Sequence, residues 1–199
     1  MANTANYVTA GKPRIAGSVY RGATSVTLPT TADAAISTTD FKSLGYISED
    51  GVTNNNSPET EDIKAWGGDI VLNTLTGKED KFTFKLIEAM NTDVLKAVYG
   101  DSNVSGDLSN GITVHAKAAE NGGSAYVIDM VLKNNVLKRI VIPNATVSEV
   151  SEIAYKDNEA VGYQITLTAV PDASGNTHHE YIKQGTSGGT GTTGTTGTT

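Results

Sequence analysis

The chain has 199 residues, 15 of them basic and 22 acidic, giving a formal net charge of −7, and it contains no cysteine. The acid excess excludes a tight nucleic-acid grip, which needs clustered lysine and arginine to displace counterions. The lack of thiols excludes a disulfide scaffold, a thiolate zinc site and a cysteine nucleophile, and the length fits one domain better than two.

Residues 1–13 are polar and without a clear period, and read as a flexible N-terminal arm. Residues 14–184 carry a period of two over much of their length, the mark of half-buried strands. Strands are expected at Ile15–Arg21, Leu44–Ser48, Asp69–Thr74, Lys81–Leu86, Ile112–Ala118, Ala125–Lys133, Val136–Ile142, Val147–Tyr155 and Ala160–Ala169. Turn residues separate them, with Asn134-Asn135 fitting a tight hairpin. The fold class is therefore mainly β, with antiparallel pairing.

Asp50–Asp62, rich in Asn, Glu and Thr, reads as a long loop. A loop of that length inside a compact domain carries function or is disordered. Asp50, Val52, Asn54, Asn56, Glu59 and Glu61 are accordingly candidate contacts to another subunit. Trp66 precedes Gly67-Gly68 and a strand, and reads as a large anchor beside a bend, either in the core or between subunits.

One segment, about residues 92–99, breaks the two-residue period. Asn91 and Thr92 supply a cap, Leu95, Val98 and Tyr99 form an apolar stripe, and Gly100 supplies the stop. A helix of two turns is unstable alone, so these three side chains must dock it on a sheet. Residues 185–199 are a Gly/Thr repeat with no apolar residue and read as a disordered tail.

No constellation for catalysis appears. Gly189, Gly191 and Gly194 match a dinucleotide fingerprint by letter, but no helix follows to hold a pyrophosphate. His178 and His179 are neighbours, and on a strand they face opposite ways and cannot chelate together. Paired acids such as Glu49-Asp50 and Glu79-Asp80 stand among hydrophilic residues and read as solvated surface charge. The expectation is a protein without enzymatic activity, metal or cofactor. No stretch is apolar enough for a membrane-spanning helix and Met1–Asn6 lacks the regions of a secretion signal, so the chain is expected to be made in a cytoplasm and to remain soluble.

Several segments, in consistent order and spacing over about residues 41–175, resemble the major tail protein (tail tube) family of siphophages. They are Leu44-Gly-Tyr-Ile-Ser-Glu-Asp-Gly51, Ile63-Lys-Ala-Trp-Gly-Gly68, Phe82-Thr-Phe-Lys-Leu-Ile-Glu88 and Asp93-Val-Leu-Lys-Ala-Val-Tyr-Gly100 with Asn103-Val104. Pro143, Val147-Ser-Glu-Val150 and Tyr163–Asp172 continue the match. The resemblance implies a tail-tube-like β-sandwich or barrel with one flanking helix. It also implies hexameric rings that stack around a tape-measure protein, between tail-terminator and distal tail proteins. DNA then passes down the bore without specific binding, in a virion tail assembled in the host cytoplasm. The alternative reading is a capsid decoration protein or another β-rich virion surface protein. Physics favours a ring independently, because neighbouring copies can pair the sheet edges that a lone subunit leaves open.

Overall fold

The structure, a computed structural model, describes residues 4–14, 18–117 and 122–185. Eleven strands run in order among the described residues. They are β1 (Lys12–Pro13), β2 (Val19–Ala23), β3 (Phe41–Ser43), β4 (Ile47–Lys64), β5 (Ile70–Leu86), β6 (Val104–Asp107), β7 (Gly111–Val114), β8 (Ser124–Val131), β9 (Val136–Val150), β10 (Tyr163–Ala169) and β11 (His179–Gln184). One helix, α1, spans Thr92–Tyr99.

Nine strands form one antiparallel sheet in the order β3-β2-β8-β9-β10-β5-β4, with β1 added on β8 and β11 on β9. The path ends on β3 at one side and β4 at the other, so no barrel closes among the described residues. β6 and β7 make a separate hairpin.

Alternation decides which side chains meet. Tyr126 and Ile128 of β8, Ile140 and Ile142 of β9, Ile165 and Leu167 of β10, and Phe82, Phe84 and Leu86 of β5 share the main core. The residues between them on β8 and β9, Ala125, Val127 and Val141, join Phe41 in a smaller cluster, capped by Val26, Leu28, Ile36 and Tyr181. α1 covers the main core. Its start is held by Asn91, whose Oδ1 accepts from the Asp93 backbone N–H at 3.0 Å. At its end Gly100, with φ of 95°, donates its N–H to Lys96 O at 2.9 Å. Leu95 and Val98 are buried in that core with Val94 and Ala97, and Tyr99 packs at its margin, edge-on to Tyr163.

The smaller cluster includes a buried ion pair. Arg139, 1% exposed, donates through Nε and Nη2 to Asp129 at 2.5 and 2.7 Å. Its Nη1 donates to the carbonyls of Thr31 and Ala34, each at 2.9 Å. The segment between β2 and β3 is thus fastened to the sheet through the Nη1 of a guanidinium that also grips a carboxylate.

Several expectations change. Asp50–Asp62 is not a loop; it lies within β4 and pairs with β5 through most of its length. The strands expected at Val136–Ile142 and Val147–Tyr155 are one strand, β9, ending at Val150. β6 and β11 were not among the expected strands. Residues 12–13, assigned to the flexible arm, pair with Val131 and Met130 of β8, and the Thr9 hydroxyl accepts from the Lys133 N–H. The Gly/Thr repeat, with its dinucleotide-like letters, lies outside the described residues beyond Gly185.

Candidate assembly interface

β4 and β5 are far longer than the sheet that carries them. β10 supports β5 only from Lys81 to Leu86, where Thr168 faces Lys81 and Tyr163 faces Leu86. Beyond Lys81 the two strands continue alone, from the pair Asn56–Asp80 to the pair Lys64–Ile70. At about 3.3 Å per residue this ribbon projects on the order of 30 Å. Bulges interrupt its register at Glu59/Thr60 and Ile63/Lys64. Ala65-Trp66-Gly67-Gly68 closes its end, with both glycines at positive φ and the Ala65 N–H donating to Asp69 O at 2.8 Å.

The arm is chemically graded along its length. Near the tip, Ile63, Trp66, Ile70, Val71, Leu72 and Leu75 are all exposed. Trp66 is 107% exposed, which overturns its reading as a core residue: it stands on the turn, uncovered by any of the described residues. Between residues 59 and 75 four acids (Glu59, Glu61, Asp62 and Asp69) face a single base, Lys64. A two-stranded ribbon exposed on both faces is marginal in water, and an apolar cluster at its end marks a surface for another protein.

The residues proposed as contacts from the sequence are spread along this arm. Asp50 accepts from the Ser48 hydroxyl at 3.1 Å, at the body end. Val52 packs on the main core. Asn54 turns inward, donating to Asp80 at 2.7 Å and to the Lys81 carbonyl at 3.2 Å. Asn56 faces Asp80 across the ladder, Glu59 faces Gly77 and Glu61 faces Thr74. Glu59 and Glu61 lie on the free ribbon, whereas Val52 and Asn54 belong to its root.

Asp80 is the residue that sequence reasoning placed wrongly. Read there as surface charge, it is 1% exposed. Its carboxylate accepts from Asn54, from the Thr177 hydroxyl at 2.5 Å, and sits 2.5 Å from His178 Nδ1. Burial pushes its pKa up, but the hydrogen bonds from Thr177, Asn54 and His178 outweigh that and hold it below the ordinary aspartate value. The two adjacent histidines part, one just before β11 and one at its start: His178 meets Asp80, and His179 Nε2 meets Asp172 at 3.3 Å.

A shallow polar groove elsewhere is lined by Arg21, Asp40, Lys42, Lys96, Asp101 and Ser124, among others. Its most buried charge is already satisfied, for Arg21 grips Asp101 with two hydrogen bonds of 2.8 Å and donates to Ser124 at 3.0 Å. The Arg21 hydrogen bonds lower the Asp101 pKa against the opposing effect of burial. This pairing ties β2 to the turn after α1.

A mainly β body with a long, apolar-tipped ribbon held clear of it defines a building block made to be completed by other protein. Comparison identifies which kind. A family model described as phage tail tube protein matches residues 1–192. The chain belongs to the phage tail tube protein family, and is a structural, non-enzymatic component of the virion tail. A comparison with curated proteins finds no match.

Proposed function

We propose that six copies close into a ring, and that rings stack into the hollow tube of a non-contractile, siphophage-type tail. The tube surrounds a tape-measure protein, ends at tail-terminator and distal tail proteins, and later conducts DNA. The observation that carries this reading is the β4–β5 arm, whose apolar tip stays exposed among the described residues. Two further features support it. The sheet ends on β3 and β4, leaving open edges that a neighbouring copy can pair. The arm projects on the order of 30 Å from the body, a reach suited to contact with a neighbouring ring, and Glu59, Glu61 and the apolar tip are the contacts assigned to it.

The charge fits a conduit. Six copies at −7 carry about −42 in total, and an acidic or neutral wall lets a polyanion slide where a basic wall would hold it. A ring structure with a bore lined by lysine and arginine would contradict this part of the proposal.

Negative-stain images of the purified protein test the whole. Tubes, or rings with six-fold symmetry, are the expected result. Trimers, or single copies that bind capsids, would establish the decoration reading instead.

A further inference from the structure

At the root of the arm three separate pieces of chain converge on one buried carboxylate. Asp80 is the first residue of β5 past the support of β10, since the last pair between those strands is Thr168–Lys81. From β4, Asn54 donates to its Oδ1; from the connection between β10 and β11, Thr177 and His178 meet its Oδ2. Thr177 is itself buried, and the His178 ring stands edge-on to Phe82, with centroids 5.3 Å apart.

That connection is a stiff bracket. Val170 N–H donates to Asn144 O, which ties its start to β9. Asp172 then closes a turn, its Oδ1 accepting from the N–H groups of Ser174 and Asn176 at 2.8 and 2.9 Å, while its carbonyl accepts from Gly175. The bracket ends in β11, which is laddered to β9 from His179 to Gln184. Thr177, His178 and Asn54, which faces the core residue Phe82 across the ladder, are therefore fixed to the body, and Asp80 stands at the base of the free arm.

A ribbon that leaves a sheet at an unsupported point can swing there, because nothing beyond it shares its backbone hydrogen bonds. We infer that Asp80 is the positioning residue of the arm: its hydrogen bonds to Thr177 and His178 lock the direction in which the ribbon leaves the body, so that a free subunit already presents its tip in the orientation assembly needs. Without the lock the arm samples many directions, and only a fraction of subunits is competent at any moment. The core beneath, built by Phe82, Phe84 and Leu86, does not depend on it.

Only the assembly part of this inference rests on the reading of the chain as a tube subunit; arm order can be measured on the isolated subunit. The test compares the full chain with Asp80→Ala, Thr177→Val and Asp80→Asn. Asparagine keeps the shape: its Oδ1 accepts from Asn54, and its Nδ2 donates once the Thr177 hydroxyl turns to accept and the His178 ring takes the tautomer with an acceptor at Nδ1. Hydrogen exchange of the isolated subunit is expected to rise at least about tenfold over residues 55–79 in Asp80→Ala and Thr177→Val, with β8 and β9 unchanged, and to return towards wild type in Asp80→Asn. Tube growth is expected to slow in the same order. Unchanged arm exchange in both disrupting variants overturns the lock. Loosened arms with tube growth at the wild-type rate overturn its role in assembly. Should wild type give no tubes at all, the proposed function fails, while the exchange measurement still decides whether Asp80 holds the arm.

Discussion

Two buried carboxylates carry distinct duties. Asp129 neutralises Arg139 inside the smaller core, with Arg14 3.6 Å from the same carboxylate, and Arg139 Nη1 donates to the carbonyls of Thr31 and Ala34. Removing one partner strands the other as an uncompensated buried charge. Asp129→Ala is expected to destabilise the subunit by about 3–5 kcal/mol, seen as a lower midpoint in urea, whereas replacing both partners by apolar residues of similar volume costs far less. Asp80 adds a pH dependence. Its folded-state pKa lies below the ordinary 3.8, so its contribution is complete above that value and is lost as pH falls through the depressed one. Urea titrations between about pH 4 and about pH 2 should therefore show less loss of stability in Asp80→Asn than in wild type. Asp129 was not singled out from the sequence, although one acid within the apolar run Ala125–Val131 is a pattern that calls for a buried partner. Asp80 carries no such pattern, because its neighbours Lys78, Glu79 and Lys81 are hydrophilic and its burial comes from a bracket almost a hundred residues away in sequence.

Among the elements, those with local physics were legible. α1 carries its own cap, stripe and stop. The Asn134-Asn135 turn works because both residues adopt positive φ, 59° and 58°, which asparagine tolerates. The β4 half of the arm escaped detection because Asn54-Asn55-Asn56-Ser57-Pro58 has poor strand propensity and no alternation, whereas the strand expected at Asp69–Thr74 lies in β5. It is a strand because Phe82, Phe84 and Val52 set a register in the core, which then propagates outward. The signal that could have found it was Trp66-Gly67-Gly68 flanked by Ile63 on one side and Ile70-Val71-Leu72 on the other, the pattern of a hairpin end. An element with so little intramolecular burial should be insensitive to changes at its tip. Trp66→Ser is expected to alter the subunit's unfolding free energy by less than about 0.5 kcal/mol, yet to abolish tubes in electron micrographs. A large loss of stability would mean that the indole packs on its own subunit after all.

At the scale of the whole molecule, work is divided between a self-sufficient body and parts that are not. The body has two cores on opposite faces of one sheet, fastened by Arg139 and covered by α1. On the proposed assembly, the arm and the open edges at β3 and β4 are what other copies complete. The repeat after Gly185 has no apolar side chain to contribute to either. A chain ended at Gly185 should consequently form tubes at the wild-type rate, measured by light scattering and confirmed by imaging; a failure to assemble would assign the repeat a structural duty.

The acid-rich shaft of the arm bears on when polymerisation starts. Free subunits meeting shaft to shaft repel one another, so ionic strength becomes a throttle on nucleation. At about 0.15 M salt the screening length is only about 8 Å, shorter than the arm, and the repulsion is confined to close encounters. In dilute buffer it spans the ribbon and opposes association of free subunits, so nucleation is expected to quicken as salt is added, a change that light scattering would follow.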